Sequence, residues 1–391
     1  MNLQRLFWPF SLYLLIFAGV ATFRPYMVLY YQSLGFAGAQ IGLLTGIAPL
    51  VPLVTLPLLT ALADRTGRYR LIMSLALLSL VAGLVVFPYL RAFIPLFVLA
   101  IFLTVAFSPV GALASSASLH MLGNNKDQFG RVRLGGTLGF SLLATVAGAL
   151  VEQHGLKIAF WGAAVIYVLA FLVSQKLDHG GEESNQNPVK SRMGEMLRNP
   201  HFGLFFVLSL AGGIAFSTIN TYFFPYMRDL GADESTMGLA LTIGTVAELP
   251  VLFFINQIIR RSGAYPVVVF SIAMTALRFL LLGVASNPML VLVIQLLNGF
   301  NQPLLSVAGV IYVNELAPAG LRASAQGLFN VAYGAIGSAI GGFVGGLLFD
   351  SLGANDMYLA FGLFVSMVLL GVSLVRHALP SAISKTSQDI T

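Results

Sequence analysis

"LADRTGRYR", Leu62 to Arg70, gathers an aspartate, a glycine and three arginines between two apolar stretches, 41 to 61 and 71 to 90. An apolar run of about 20 residues crosses a hydrocarbon core about 30 Å thick as a helix. The nine residues therefore read as a polar joint outside a bilayer. Gly67 supplies the tight turn, Arg65 and Arg68 hold the joint in water, and Asp64 is placed to pair at a helix end.

Working outward, the same alternation of long apolar run and short polar joint fills the chain. Twelve spans result, at 8 to 31, 41 to 61, 71 to 90, 92 to 118, 134 to 151, 157 to 175, 202 to 227, 236 to 258, 266 to 285, 288 to 313, 323 to 349 and 356 to 375. Composition agrees: 57% of the 391 residues are hydrophobic and 9% charged, where a soluble globular protein has about 25% charged. The expected fold is an all-α membrane protein of twelve transmembrane helices.

A net charge of +6 points to nucleic acid in a soluble protein; here its distribution matters more. Of 21 Lys and Arg, 16 fall on the side shared by both termini, three on the other (Arg91, Lys157, Arg228) and two inside spans (Arg24, Arg278). The positive-inside rule then places both termini in the cytoplasm and the chain in the inner, cytoplasmic membrane. "MNLQRLFWPFSLYLL" runs straight into a full-length span and reads as the first helix rather than a cleaved signal. With no cysteine, disulfide and thiol chemistry are excluded.

The long polar segment 176 to 200 separates six spans from six, which predicts bundles at 1–175 and 201–377, a cytoplasmic linker at 176–200 and a cytoplasmic tail at 378–391. Shifting the chain by 196 residues lays Leu34-Gly35 on Leu230-Gly231, Gly42-Leu43 on Gly238-Leu239, Arg65 on Arg261 and Gly67 on Gly263. Two halves related by a parallel repeat are the plan of a transporter that rocks about a central site.

Between the second and third of twelve spans, Leu62 to Arg70 resembles the cytoplasmic signature of the major facilitator superfamily, Gly-x-Leu-Ala-Asp-Arg-x-Gly-Arg-Arg/Lys. Thr60 stands at the family's leading Gly, and the second half keeps only "RRSG". Within the superfamily the chain is most similar to the branch holding lactose permease and the phenylpropionate permeases. "FGRVRLGGTLGF" (129 to 140) resembles that branch's start of span 5, and Glu248 and Arg278 match an acid in span 8 and an arginine in span 9. Where lactose permease has a His and a Glu in span 10, this chain has Asn298 and Asn301; its span 4 acid is Ser115 here, and its sugar-stacking tryptophan falls on Phe140. These departures weigh against a galactoside and against proton coupling through span 10. The resemblance also places Arg133 near the cavity, although the charge count puts it in the cytoplasm. Asp64, Arg65, Gly67 and Arg68 are, by the same resemblance, the conformational motif.

Arg24, Glu248 and Arg278 are the fully ionisable side chains deep in the spans, and such charges commonly mark a transport path. Glu248 has two readings. It is either a structural partner of Arg278, or a carboxylate that alternates between proton, arginine and substrate, since desolvation and a nearby guanidinium pull its proton affinity in opposite directions. As the lone deep acid it is the expected proton-coupling group. Arg24 either snorkels to the interface or faces the cavity; two cavity arginines against one acid would favour an organic carboxylate, which the guanidinium fork fits.

Gln295, Asn298, Asn301 and Gln302 share an arc of about 120° at helical pitch, a face that lipid cannot satisfy. They line the path or bond neighbouring helices. Asn220, which falls on Arg24 at the repeat offset, and Tyr222 are further substrate-binding expectations, with interfacial anchoring the alternative for the tyrosine. In span 11, Gly337, Gly341 and Gly345 form one row and Ser338, Gly342 and Gly346 the next, a pattern for close helix packing.

The chain lacks a phosphate-binding loop, HExxH, a Cys/His metal cluster and a Gly-x-Ser-x-Gly turn. No enzymatic activity, cofactor or metal is therefore expected. The reading is a secondary active transporter, a proton-coupled symporter leaning to an organic or aromatic carboxylate. Its expected partners are a small-molecule solute, protons and the bilayer, with no nucleic acid and a monomeric state. The alternatives are an exporter, a neutral sugar or nucleoside symporter, or a non-transporting solute receptor.

Overall fold

The computed structural model describes residues 3–178, 199–318 and 321–378. Among the described residues, twelve helices are long and apolar enough to cross a membrane. In the first half they are α1 (Arg5–Ser33), α2 (Gly38–Thr66), α3 (Tyr69–Tyr89), α4 (Phe93–Leu122), α5 (Phe129–His154) and α6 (Lys157–Ser174). The second half holds α7 (Pro200–Asp229), α8 (Glu234–Ser262), α9 (Ala264–Val284), α10 (Pro288–Leu316), α11 (Ser324–Leu352) and α12 (Ala354–Ala378). No strand occurs among the described residues. Each predicted span lies on one of these helices, and most helices outrun their span, because a helix keeps its backbone hydrogen bonds after it leaves hydrocarbon. Nearly all of the predicted linker, and the predicted tail beyond Ala378, lie outside the described residues.

Local chemistry sets the helix ends. Asn199, Asp233 and Asn287 accept from the backbone N–H of His201 (3.0 Å), Thr236 (2.6 Å) and Leu290 (2.9 Å), capping α7, α8 and α10. Asp233 lies outside the membrane, and its hydrogen bonds from Thr236 hold its carboxyl below the usual carboxylate range. Gly35 and Gly231 turn with φ of 77° and 83°, and Gly67 and Gly263 with 63° and 83°. These are repeat partners, so the identities at the 196-residue offset mark turns that need a left-handed backbone.

Within the first half α1 packs on α5 and α6, and α3 on α6; within the second, α7 packs on α11 and α12, α9 on α12, and α8 on α10. Two helix pairs join the halves most extensively, α2 with α11 and α5 with α8. A Cβ on Gly42 would lie 2.8 Å from the Phe343 carbonyl oxygen, and one on its repeat partner Gly238 would strike the Ala144 carbonyl oxygen. Both glycines are therefore points of backbone contact between halves. The two rows of α11 divide the work: Gly337, Gly341 and Gly345 meet α7, whereas Gly342 and Gly346 meet α2.

These cross contacts sit at the start of α2 and α8 and the end of α5 and α11, the face remote from both described chain ends. Toward the other face, residues 52–66 and 110–122 pack within the first half and 322–330 within the second. The halves thus enclose a cavity shut at one face and open at the face carrying the chain ends. Outward-facing side chains such as Leu58 (63% exposed) and Phe253 (83% exposed) supply the lipid-facing belt.

Candidate functional site

Pro25 has no N–H to continue the α-helical ladder, and α1 passes there through a 3-10 turn at Arg24–Tyr26. The turn sets Arg24 apart. Its side chain keeps accessible surface on a turn that packs against α7 of the other half. It therefore faces the internal cavity rather than lipid. Tyr167 of α6 is its electrostatic neighbour, and no hydrogen-bonded or acidic partner meets it among the described residues. Asn220 of α7 is also exposed; its Nδ2 donates to the Phe216 carbonyl at 2.7 Å, leaving Oδ1 free. Between the two helices, Tyr26 packs edge-on against Phe224 with ring centroids 4.9 Å apart.

A second cluster joins α8, α9 and α10. Arg278 is 3% exposed and donates through Nη1 to Asn298 Oδ1 at 2.5 Å and through Nη2 to Gln295 Oε1. Asn298 Nδ2 donates in turn to Glu248 Oε1 at 2.7 Å and to the Gly244 carbonyl at 3.2 Å. Gln295 Nε2 reaches the Ala240 carbonyl at 3.1 Å. Glu248 is thus linked to Arg278 through an amide rather than by a direct ion pair. Its Oε2 makes no hydrogen bond and stays open to the cavity.

The span 10 amides do not share the single face drawn for a regular helix. Residues Gln295–Phe300 form a 3-10 segment, and Asn301 breaks the helix with φ −96° and ψ −92°. The change of pitch sends Asn301 elsewhere: its carbonyl accepts from Ser271 Oγ of α9 at 2.6 Å, and its 6% exposed side-chain amide has no partner. Gln302 is half-buried and without a hydrogen bond among the described residues. Tyr222 is withdrawn from solvent at 1% exposure, donating to the Gly342 carbonyl at 2.5 Å, so it sits in the α7–α11 packing rather than at a membrane surface.

Phe140 is half-buried on α5, and Arg133 is exposed near the start of α5. In the 62 to 70 joint, Tyr69 donates to Asp64 Oδ1 at 2.9 Å, while Arg65 and Arg68 are exposed. Tyr333 was not legible as a site residue. It lies in a π-helical segment of α11, Val331–Gly337, within electrostatic reach of Glu248 and with its ring 5.5 Å from Phe216. A wide helical turn leaves no period in the sequence to find it by.

The candidate groups are thus a guanidinium, Arg24, in the first half and, in the second, the carboxylate of Glu248, the bridging amide of Asn298 and the phenol of Tyr333. Side chains of these kinds can hydrogen-bond a small polar solute. Comparison with known proteins agrees with a transport scaffold. The family model described as "MFS_1 like family" matches residues 8–360. An uncharacterized transporter of Bacillus subtilis (strain 168), YwbF, is 27% identical, covering 93% of this chain and 91% of that one. The maltose permease of Geobacillus stearothermophilus is 24% identical over 92% and 91%. Among solved structures, a mutant form of the nucleoside transporter NupG superposes with a TM-score of 0.85 at 19% identity, covering 95% of this chain and 99% of that one.

Proposed function

This chain belongs to the MFS_1 like family of membrane transporters, and on that premise we propose that it is a proton-coupled symporter for a small organic acid, leaning to aliphatic or aromatic carboxylates. The observation that supports this most is the state of Arg24. A guanidinium in a cavity with no acidic partner attracts an anion, and its planar fork suits a carboxylate. Arg278 does not compete for that role, because Gln295 and Asn298 already occupy its terminal nitrogens.

Glu248 is the proposed proton carrier, with one oxygen held by Asn298 and the other open. The bundles 1–175 and 201–377 are the proposed moving bodies, joined by 176–200. Both termini are placed in the cytoplasm by the basic-residue distribution, so the cavity described here opens inward. A monomer suffices for this cycle.

A second reading has its own support. The maltose permease and NupG likenesses favour a neutral sugar or nucleoside, bound through Asn220, Tyr333 and the open Glu248 oxygen. The deciding experiment adds carboxylates, sugars and nucleosides one at a time to proteoliposomes and follows external pH. Alkalinisation with carboxylates alone, lost in Glu248→Gln, is the expected result. The same response to sugars or nucleosides alone would replace the acid by a neutral solute. Silence toward every class would remove proton symport and favour an exporter or a non-transporting receptor.

A further inference from the structure

The contact between halves carries a motif that appears twice. On α11, Gly342, Gly346 and Asp350 are spaced by four residues; on α5, Ala144, Gly148 and Glu152 repeat the spacing. Side chains four apart stack on one helix face. Each helix thus presents two small residues and then an acid to its partner in the other half. The partners also correspond: Gly38, Gly42 and Gly46 on α2 fall at the 196-residue offset on Glu234, Gly238 and Thr242 of α8.

Both acids end on the first turn of the facing helix. Asp350 Oδ2 accepts from the backbone N–H of Gly38, the first residue of α2. Glu152 Oε2 accepts from the hydroxyl of Ser235, the second residue of α8. First-turn N–H groups lack helical partners and carry the positive end of the helix dipole. Asp350 therefore gains there in both hydrogen bonding and charge, and Glu152, held by a side-chain hydroxyl, gains in charge. Close approach is what allows it: a Cβ on Gly38 would strike Asp350 and the Gly346 carbonyl, and one on Gly148 would lie 2.5 Å from the Glu234 carbonyl oxygen.

We propose that Asp350 and Glu152 are paired latches of the transport cycle, each fastening one half's helix to the first turn of the other half's helix, and that the cavity opens at this face only when both let go. Neither residue reaches the cavity, so the role differs from solute or proton binding and does not depend on the identity of either. The duplicated spacing, with each acid ending on the first turn of the facing helix, one on a backbone N–H and the other on a hydroxyl, sets these two acids apart from other surface carboxylates. Asp64, for comparison, bonds Tyr69 within its own half.

The natural absence of cysteine allows a test without any solute. Spin labels at Ala92 and Ser286, exposed at the latched face in opposite halves, report its opening; labels at Thr66 and Ser262 report closure of the other face. Electron–electron distance distributions are compared in reconstituted full-length protein. Asp350→Ala and Glu152→Ala should each raise the ratio of latch-face-open to closed molecules about two- to fivefold, and the double variant about tenfold, with the Thr66–Ser262 distance shortening in step. Should either alanine variant fail to fold, Asp350→Asn and Glu152→Gln keep the shape, remove the charge and read the same distances. Unchanged distributions in the folded double variant would overturn the proposal, as would a shift at one face without the reciprocal shift at the other.

Discussion

Glu248 and Arg278 lie on consecutive helices, α8 and α9, and are linked by hydrogen bonds through the side chain of Asn298 on α10. The amide turns one way to accept from the guanidinium and the other way to donate to the carboxylate. Leucine at position 298 would leave the buried guanidinium short of an acceptor, a loss of about 1–3 kcal/mol. Thermal unfolding of Asn298→Leu should show that loss. Asn301→Leu, whose amide has no partner, should be neutral or stabilising in the same assay; equal losses would mean that the network is not what matters.

Arg24 is expected to set affinity for an acid. Arg24→Gln should weaken carboxylate half-saturation at least about tenfold, in line with the roughly 1.5–3 kcal/mol of a charged hydrogen bond. Arg24→Lys should recover only part of it, because an ammonium lacks the fork. Unaltered half-saturation in Arg24→Gln would move the anion site elsewhere.

Glu248→Gln keeps the acceptor for Asn298 but cannot carry a proton. Gradient-driven accumulation should vanish while solute exchange across the membrane persists within about threefold, a split expected when only the coupling group is lost. Equal loss of both activities would make Glu248 a structural member of the amide network.

Gly42→Val and Gly238→Val place side-chain carbon against the Phe343 and Ala144 carbonyls. Each should lower thermal stability, by about 1–3 kcal/mol as overpacked sites do. The two should match in sign because the sites are repeat partners. Gly111→Val on α4, where a Cβ meets nothing within 4 Å, is the control.

Asp233 caps α8 with a carboxyl held below its usual range by Thr236. A lowered folded-state value means the cap contributes fully above the unfolded carboxylate range, and its contribution fades as pH falls through the lowered value. The stability difference between wild type and Asp233→Ala should therefore be about 1 kcal/mol near neutrality and shrink in acid. A difference constant with pH would show that the charge is irrelevant to the cap.

Much of the fold was legible because hydrocarbon imposes a strong rule: every span had to be apolar for about 20 residues, and Leu62 to Arg70 could only be a joint. The repeat was legible at Gly35, Gly42 and Gly67 because a backbone turn or a backbone contact rejects any other side chain. The site was legible in its charges, since Arg24, Glu248 and Arg278 stand out in apolar runs. Its connectivity was not. The face assigned to Gln295, Asn298, Asn301 and Gln302 assumed uniform helical pitch, and the 3-10 segment with the break at Asn301 redirects those side chains. Tyr333 was hidden for the same reason, by the π-helical widening of α11.

Arg24 and Asn220 occupy matching positions in the two halves, yet one is a cation and the other an amide; Glu248 falls on Pro52, which has no acid to offer. Duplication is therefore kept at the glycine turns and at the Gly42 and Gly238 backbone contacts, and lost at Arg24 and Glu248. The cavity is chemically handed, with its free positive charge supplied by one half and its acid by the other. Under the proposed symport its cargo would therefore have a head, held at Arg24, and a tail.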